Sequence, residues 1–389
     1  MNYGVLDKLH GKYGKRLKNS FSGVFSGKTV LVTGHTGFKG AWLALWLKLL
    51  GAKVVGYSLQ PPTQPSLFEA LKLENEICHV TGDIRDLGAL KEVFVNYRPE
   101  IVLHLAAQSL VRLSYDQPVE TFSTNILGTV NILEAVRLSS SVRACVCVTS
   151  DKCYENREWP YAYRENDPVG GHDPYSASKG CSELVAASYR RSFFAPEKLA
   201  QHRVAIASAR AGNVIGGGDW ALDRIFPDAV RALSSNKPVP VRNPWAIRPW
   251  QHVLEPLSGY LWLAANMCGS KAEFADSWNF GPLSSGAVNV KTIVENIISV
   301  WGSGSIEDLS SGQANAPHEA NFLKLDCSKA MGLLAWQPTF SVDEAVKFST
   351  EWYKQFYCSD KFDARSFTES QIVSYTERAA RIANSWAKR

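Results

Sequence analysis

The sequence predicts an α/β fold with a doubly wound parallel sheet, on three observations. Short β-branched runs alternate with longer amphipathic stretches from residue 28 onward. Several of those runs are apolar on both faces, the pattern of strands covered by helices on each side. A glycine-rich turn, "TGHTGFKG", separates the first run from the first amphipathic stretch, as in a dinucleotide-binding βα unit.

In chain order the candidate strands are "TVLVTG" at 29, "KVVGYSL" at 53, "HVTGDI" at 79, "IVLHLAA" at 101, "ACVCVTS" at 144 and "VAIASARAG" at 204. Their spacing leaves room for a crossover helix between the earlier ones. The regularity fades after residue 212, where "GGGDW" and "NKPVPVRNPWAIRPW" interrupt it, and "SWNFGP" at 277 reads as one more strand returning to the sheet. The last stretch, "ESQIVSYTERAARIANSWAKR", is amphipathic and predicts a packed terminal helix. The expected organisation is therefore a basic extension over 1–27, a Rossmann-type dinucleotide-binding domain over 28–212 with about 245–285, and a smaller, mixed α/β lobe for the substrate over 213–244 with 286–389.

A chain of 389 residues, 45% hydrophobic and 20% charged, has the composition of a folded protein. The formal charge of +5 resides entirely in residues 1–28, where six Lys and Arg face Asp7 alone. The rest is neutral, so a general nucleic-acid surface is not expected. That basic start lacks the apolar centre of a signal peptide and reads as a mobile, solvated tail or else an interaction arm. No run reaches the roughly 20 apolar residues of a membrane span. None of the eight cysteines forms a C-x-x-C pair; Cys145 and Cys147, two apart on a strand, point to one face as small core residues. No metal site is expected, and a reducing, cytoplasmic compartment fits the cysteine usage.

The glycine loop supplies Gly34, Gly37 and Gly40, which let backbone approach a pyrophosphate at a helix N-terminus. Thr36, Phe38 and Lys39 lie in the same loop, and Asp83 and Ile84 follow the third strand. An acid for the ribose hydroxyls is expected after the second strand, yet "VVGYSLQPP" offers Tyr57 and Ser58. It offers no arginine for a 2′-phosphate either. NAD is favoured over NADP without being proved by this stretch.

Tyr175 and Lys179, four apart in "YSASK", share a helix face. An ammonium and a cationic nicotinamide beside a phenol would lower its pKa from about 10 towards neutrality and make it a usable base.

The motifs "TGHTGFKGAWL", "LAAQSLVRLSYDQPVETFSTNILGTVNILEA", "VTSDKCYEN", "PYSASKG", "RAGNVIGGGDWALDRI", "RNPWAIRPWQHV" and "HEANFLKLDCSKA" resemble the extended short-chain dehydrogenase/reductase family, in particular its nucleotide-sugar dehydratases. The resemblance runs from about residue 27 to about 355 and leaves both ends of the chain uncovered. It implies a redox-neutral dehydration with NAD as cofactor and CDP-glucose as the small-molecule substrate, the first committed step towards deoxysugars. Tyr175 would take the proton of the sugar 4-hydroxyl with Ser150 alongside. Asp151 would act as general acid and Lys152 as base at C5, at a point where relatives that act on dTDP-sugars carry Asp-Glu. Burial would move both pKa values the right way and a tight salt bridge the wrong way, so the pair is expected to stay apart. The two can reach one sugar only if the strand stops or bends near residue 150.

Leu105, Ala106, Ala107, Gln108 and Asn125 would border the nicotinamide, each with a packing reading as well. Asn213, Arg224 and Arg248 would hold the diphosphate, with Arg112 and His252 as further substrate contacts, while tryptophans 220, 245 and 250 would wall the base or pack the core. The resemblance also implies a homodimer through a four-helix bundle. The open alternatives are a dehydratase for GDP- or dTDP-sugars, a C4 epimerase, which needs no acid-base pair at C5 and C6, and a degenerate member that only binds NAD.

Overall fold

The computed structural model describes residues 17–269, 271–283, 287–310 and 322–388. Among them seven strands make one sheet: β1 (Thr29–Thr33), β2 (Lys53–Ser58), β3 (Cys78–Thr81), β4 (Ile101–His104), β5 (Ala144–Val148), β6 (Ala205–Ala211) and β7 (Ser277–Phe280), in the spatial order β3-β2-β1-β4-β5-β6-β7. Every pairing is parallel. The "SWNFGP" run is the edge strand β7, beside β6.

The apolar residues on both faces of these runs are explained by two cores. Val30, Val32, Leu103 and Val146 face one, while Leu31, Val102, Cys145 and Cys147 face the other, the two-residue alternation of a pleated strand. Helices α1 (Phe38–Leu49) and α5 (Leu254–Cys268) cover the first face; α2 (Leu87–Tyr97), α3 (Gly128–Leu138) and α4 (Pro174–Ser192) cover the second. Strand order reverses between β1 and β4, and the crevice beyond their carboxyl ends is where such sheets bind ligands.

Beyond β6 the chain builds short strand pairs, Val239–Val241 with Ile306–Asp308 and Ile247–Pro249 with Ala287–Asn289, and helices Ile225–Ser234 and Val290–Trp301. Helices α6 (Val342–Cys358) and α7 (Ala364–Arg381) close the chain.

One expectation fails. The N-terminal extension is not a solvated tail from Leu17 onward: Leu17, Phe21 and Phe25 are buried. Phe21 stacks on Trp386 at 4.9 Å and meets Trp46 of α1 edge-on at 5.6 Å, and Tyr375 of α7 stacks on the same Trp386. The lysines dominate that segment by charge, but Leu17, Phe21 and Phe25, four apart, all turn inward. Burying each contributes roughly 1.5–3 kcal/mol. The remaining basic residues, Lys8 to Arg16, lie outside the described residues.

Candidate active site

A cavity of about 960 Å³ opens at the carboxyl ends of the strands. Its floor is the glycine loop. Gly34, with φ +75°, follows β1, and a Cβ there would stand 2.7 Å from the Ala106 nitrogen; one on Gly40 would stand 2.1 Å from the Gly34 carbonyl oxygen. Gly37 caps α1 in extended conformation. The loop is thus pressed against its own helix and against the end of β4, leaving backbone N–H groups and no side-chain bulk at the N-terminus of α1. Thr36, Phe38, Ile84, Leu105, Ala107 and Gln108 also line the cavity. Thr36 shares a 2.8 Å hydrogen bond with Ser58, the last residue of β2. Asp83 lines the same end, but Arg85 holds its carboxylate, accordingly kept below the usual range.

Strand β5 stops at Val148, and Asp151–Cys153 form a single 3-10 turn capped by Ser150. That break places Asp151 and Lys152 on the cavity wall together, which continued strand alternation would forbid. Asp151 is buried. The Ser150 hydroxyl donates to its Oδ1 at 3.0 Å, and Oδ2 has no partner among the described residues. Gly212 makes room for that free oxygen, since a Cβ there would approach it to 3.1 Å. Burial raises the Asp151 pKa against the pull of Lys152, Ser150, Arg248 and Lys39. Lys152 is half-buried, and among the described residues no ion pair joins it to Asp151.

Tyr175 enters from the first turn of α4. Pro174 at the first helical position and Asp173, whose side chain accepts from the Ser176 N–H at 2.9 Å, start the helix there. Lys179, one turn on, donates to the Val148 carbonyl at 3.3 Å. Burial lowers the Lys179 ammonium to about 8. Burial also lifts the Tyr175 phenol to about 12, with Ser150 and Arg224 pulling it down and Asp151 and Asp173 pushing it up. The sequence reading had Lys179 and a cationic ring bringing that phenol near neutrality. The chain's own groups do not, because the ammonium points at a backbone carbonyl and desolvation dominates.

Around these groups the cavity gathers several cations, some of them tethered to acids on the same wall. Lys39 is pushed down to about 8, by burial first and then by Arg224 and Lys179 nearby. Arg248 and Asn213 line the wall, as do Arg112, 3.6 Å from Asp223, and Arg224. Arg224 donates to Asp219 at 2.8 Å and to Ser109 at 3.1 Å. Asp219 escaped the sequence reading, although an acid five residues before an arginine in "GGGDWALDR" was a signal for such a tether.

Two expected contacts lie elsewhere, and one indole does as well. His252 is fully buried outside the cavity, ringed by Trp42, Phe340 and Phe348 at 5.7 to 6.2 Å, and burial drops its pKa to about 3. It packs the core as a neutral imidazole. Asn125 is buried behind the wall, donating to Ser178 at 2.8 Å and to the Gln108 carbonyl at 3.0 Å, so it braces β4's loop against α4. Of the tryptophans, 220 and 250 line the cavity, whereas Trp245 is 68% exposed under Lys291.

The sheet order, glycine loop and Tyr-Lys helix define an extended short-chain dehydrogenase/reductase. Comparison with known proteins agrees and narrows it. A family profile described as GDP-mannose 4,6 dehydratase matches residues 31–348. A CDP-glucose 4,6-dehydratase of Salmonella typhimurium is 53% identical over 330 residues, 85% of this chain and 91% of that protein. By structure, a dTDP-glucose 4,6-dehydratase of Bacillus anthracis in complex with NAD superposes with a TM-score of 0.70 at 19% identity, covering 85% of this chain and 97% of that one. A UDP-glucuronic acid 4-epimerase of Bacillus cereus does so at 0.71 and 23%, covering 85% and 100%. The chain belongs to the GDP-mannose 4,6-dehydratase family of nucleotide-sugar enzymes.

Proposed function

We propose that the chain dehydrates CDP-D-glucose to CDP-4-keto-6-deoxy-D-glucose with NAD as a cofactor that ends each turnover as it began. The observation that carries this reading is that Tyr175, Asp151 and Lys152 line the one cavity whose floor is the glycine loop. An epimerase has no use for the last two.

The site fits NAD. Gly34 and Gly40 lie where any side chain would collide with backbone, and the rim after β2 is Ser58, Leu59 and Gln60, polar but without the positive charge a 2′-phosphate needs. Bound there, NAD supplies a reversible two-electron acceptor and a positive charge beside the phenol. Tyr175 accepts the proton of the sugar 4-hydroxyl, held by Ser150, while the Lys179 ammonium favours the phenolate. Once C4 is a ketone the C5 proton is acidic. Lys152 as the free amine takes it, Asp151 as the carboxylic acid protonates the C6 hydroxyl, and water departs as the C5–C6 double bond forms. Lys152 returns its proton to C5 when C6 is reduced, and Asp151 regains through solvent the proton that Tyr175 removed. Burial raises the Asp151 pKa, in the direction of the acid form this sequence requires.

Asn213, Arg224, Arg248 and Arg112 suit a diphosphate, which planar guanidinium forks bind well. The choice of cytidine rests on the 53% identical relative. Val119, on the short helix before α3, and Leu184, on α4 itself, are 80% and 60% exposed and support a homodimer through these helices. No helix of the described residues is long and apolar enough to cross a membrane, and the free cysteines suit a cytoplasmic setting.

The test is incubation of the protein and NAD with CDP-, dTDP-, GDP- and UDP-glucose, following 4-keto-6-deoxy product by mass spectrometry. Product from the cytidine sugar is expected; turnover of another sugar alone contradicts the assignment. A pH profile adds a second check. Lys179 carries its charge below about 8 and loses it above, so kcat is expected to fall on an alkaline limb near pH 8. Lys179→Arg, charged at every working pH, should move that limb upward, and a limb that stays near 8 would assign it to another group.

A further inference from the structure

The catalytic groups sit on two separate elements, and something must hold those elements in register. Tyr175 and Lys179 ride on α4; Asp151 and Lys152 ride on the turn after β5. We infer that the buried Glu183–Arg210 ion pair is the positioning device that locks the elimination turn to the oxidation helix. This rests on the proposed dehydration.

Glu183 stands eight residues after Tyr175 and four after Lys179, so all three share one face of α4. Each is buried. Its carboxylate accepts the Thr149 hydroxyl through Oε1 and, through Oε2, the Ser208 hydroxyl at 2.6 Å and Arg210 Nη2 at 2.8 Å. Thr149 immediately precedes Ser150. Arg210, on β6, turns Nη1 the other way and donates to the Tyr154 hydroxyl at 2.7 Å. Its guanidinium lies over that tyrosine ring, 4.8 Å from the centroid. Tyr154 immediately follows the Asp151–Cys153 turn, and its own hydroxyl donates to Asn279 of β7 at 2.8 Å.

The turn that carries Asp151 and Lys152 is therefore pinned at both ends, by Thr149 to one ion and by Tyr154 to the other. Between the pins, among the described residues, no ion pair holds Asp151 or Lys152, and the side-chain pins add to the backbone bonds that Thr149 makes to Ala209 and Cys153 to Gly170. Burial opposes the charge on Glu183, but Arg210 and the hydroxyls of Ser208 and Thr149 outweigh it and hold its pKa below the usual value. A carboxylate and guanidinium this deep are costly unless paired and saturated, and here both point at catalytic segments rather than at each other alone. The same carboxylate sits close enough to raise the Lys179 pKa against burial.

Tyr154 and Thr149 thus serve mainly the second half-reaction, through the turn they hold, while Thr149 also steadies Ser150 for the first. Thr149→Val and Tyr154→Phe each cut one pin while leaving the ion pair whole, so the fold survives. With the full-length protein, NAD and CDP-glucose, each variant should lose about tenfold to a hundredfold in kcat, the cost of misplacing a catalytic group by about 1 Å, with KM within twofold. Oxidation at C4 should outrun elimination, so absorbance of reduced cofactor at 340 nm should accumulate in the steady state of the variants beyond that of the unmodified protein. Unchanged kcat in the double variant, or a slower kcat without 340 nm accumulation, would overturn the inference, the latter showing that both half-reactions suffer alike. Should the unmodified protein fail on CDP-glucose, the proposed function falls instead, a result separable from either.

Discussion

Tyr175→Phe is expected to lower kcat on CDP-glucose by about 10³-fold, within the range of about 10²–10⁴ that a positioned proton-transfer group supplies. The substitution removes one oxygen from a ring that is 7% exposed, so packing is preserved. The reaction cannot begin without a group to take the 4-hydroxyl proton, and among the cavity's side chains only this phenol stands beside both Ser150 and the Lys179 turn of α4. KM should change little, because Arg224, Arg248 and Asn213 lie on other elements. A loss of 10³ corresponds to about 4 kcal/mol of transition-state stabilisation. Steady-state product assays check it, and a variant within tenfold of the parent would remove Tyr175 from the chemistry.

Asp151→Asn is the second large effect, and it should fall on a different step. The amide is isosteric and cannot donate a carboxylic proton, so the C6 hydroxyl would depart unprotonated. Product formation is expected to drop about 10²–10³-fold. Oxidation at C4 should continue, leaving bound 4-keto-hexose with the C6 oxygen still in place, detectable by mass spectrometry after rapid quenching. Burial already favours the protonated acid, so the variant should also fold at least as well as the parent. Loss of C4 oxidation together with elimination would show that the carboxyl serves the first step too.

Much of this was legible in the chain because local rules and global fold agree. All seven strand runs, the glycine loop and the Tyr-Lys spacing were readable, since two-sided burial forces apolar runs and a pyrophosphate-binding turn forces glycine. The strand break after Val148 was demanded by the chemistry before it was seen. What escaped depends on contacts across long separations. Phe21 was hidden among lysines because its partners, Trp46 and Trp386, lie 25 and 365 residues away. His252 read as a substrate contact from its neighbours in sequence, yet the short strand Gln251–His252 beside Val214–Ile215 sends it into an aromatic core. The bond from Lys179 to the Val148 carbonyl likewise crosses from α4 to β5 and leaves no trace in the Tyr-Lys spacing. The Glu183–Arg210 pair joins α4 to β6, and spacing along one helix shows only half of it.

The account turns on one hexose ring being served by Tyr175 at C4 and by Asp151 and Lys152 at C5 and C6 within a single cavity. CDP-glucose carrying deuterium at C4 tests this most directly. The account predicts that the label reappears at C6 of the 4-keto-6-deoxy product of the same molecule. Label retained at C4, or lost to solvent with none at C6, would contradict it.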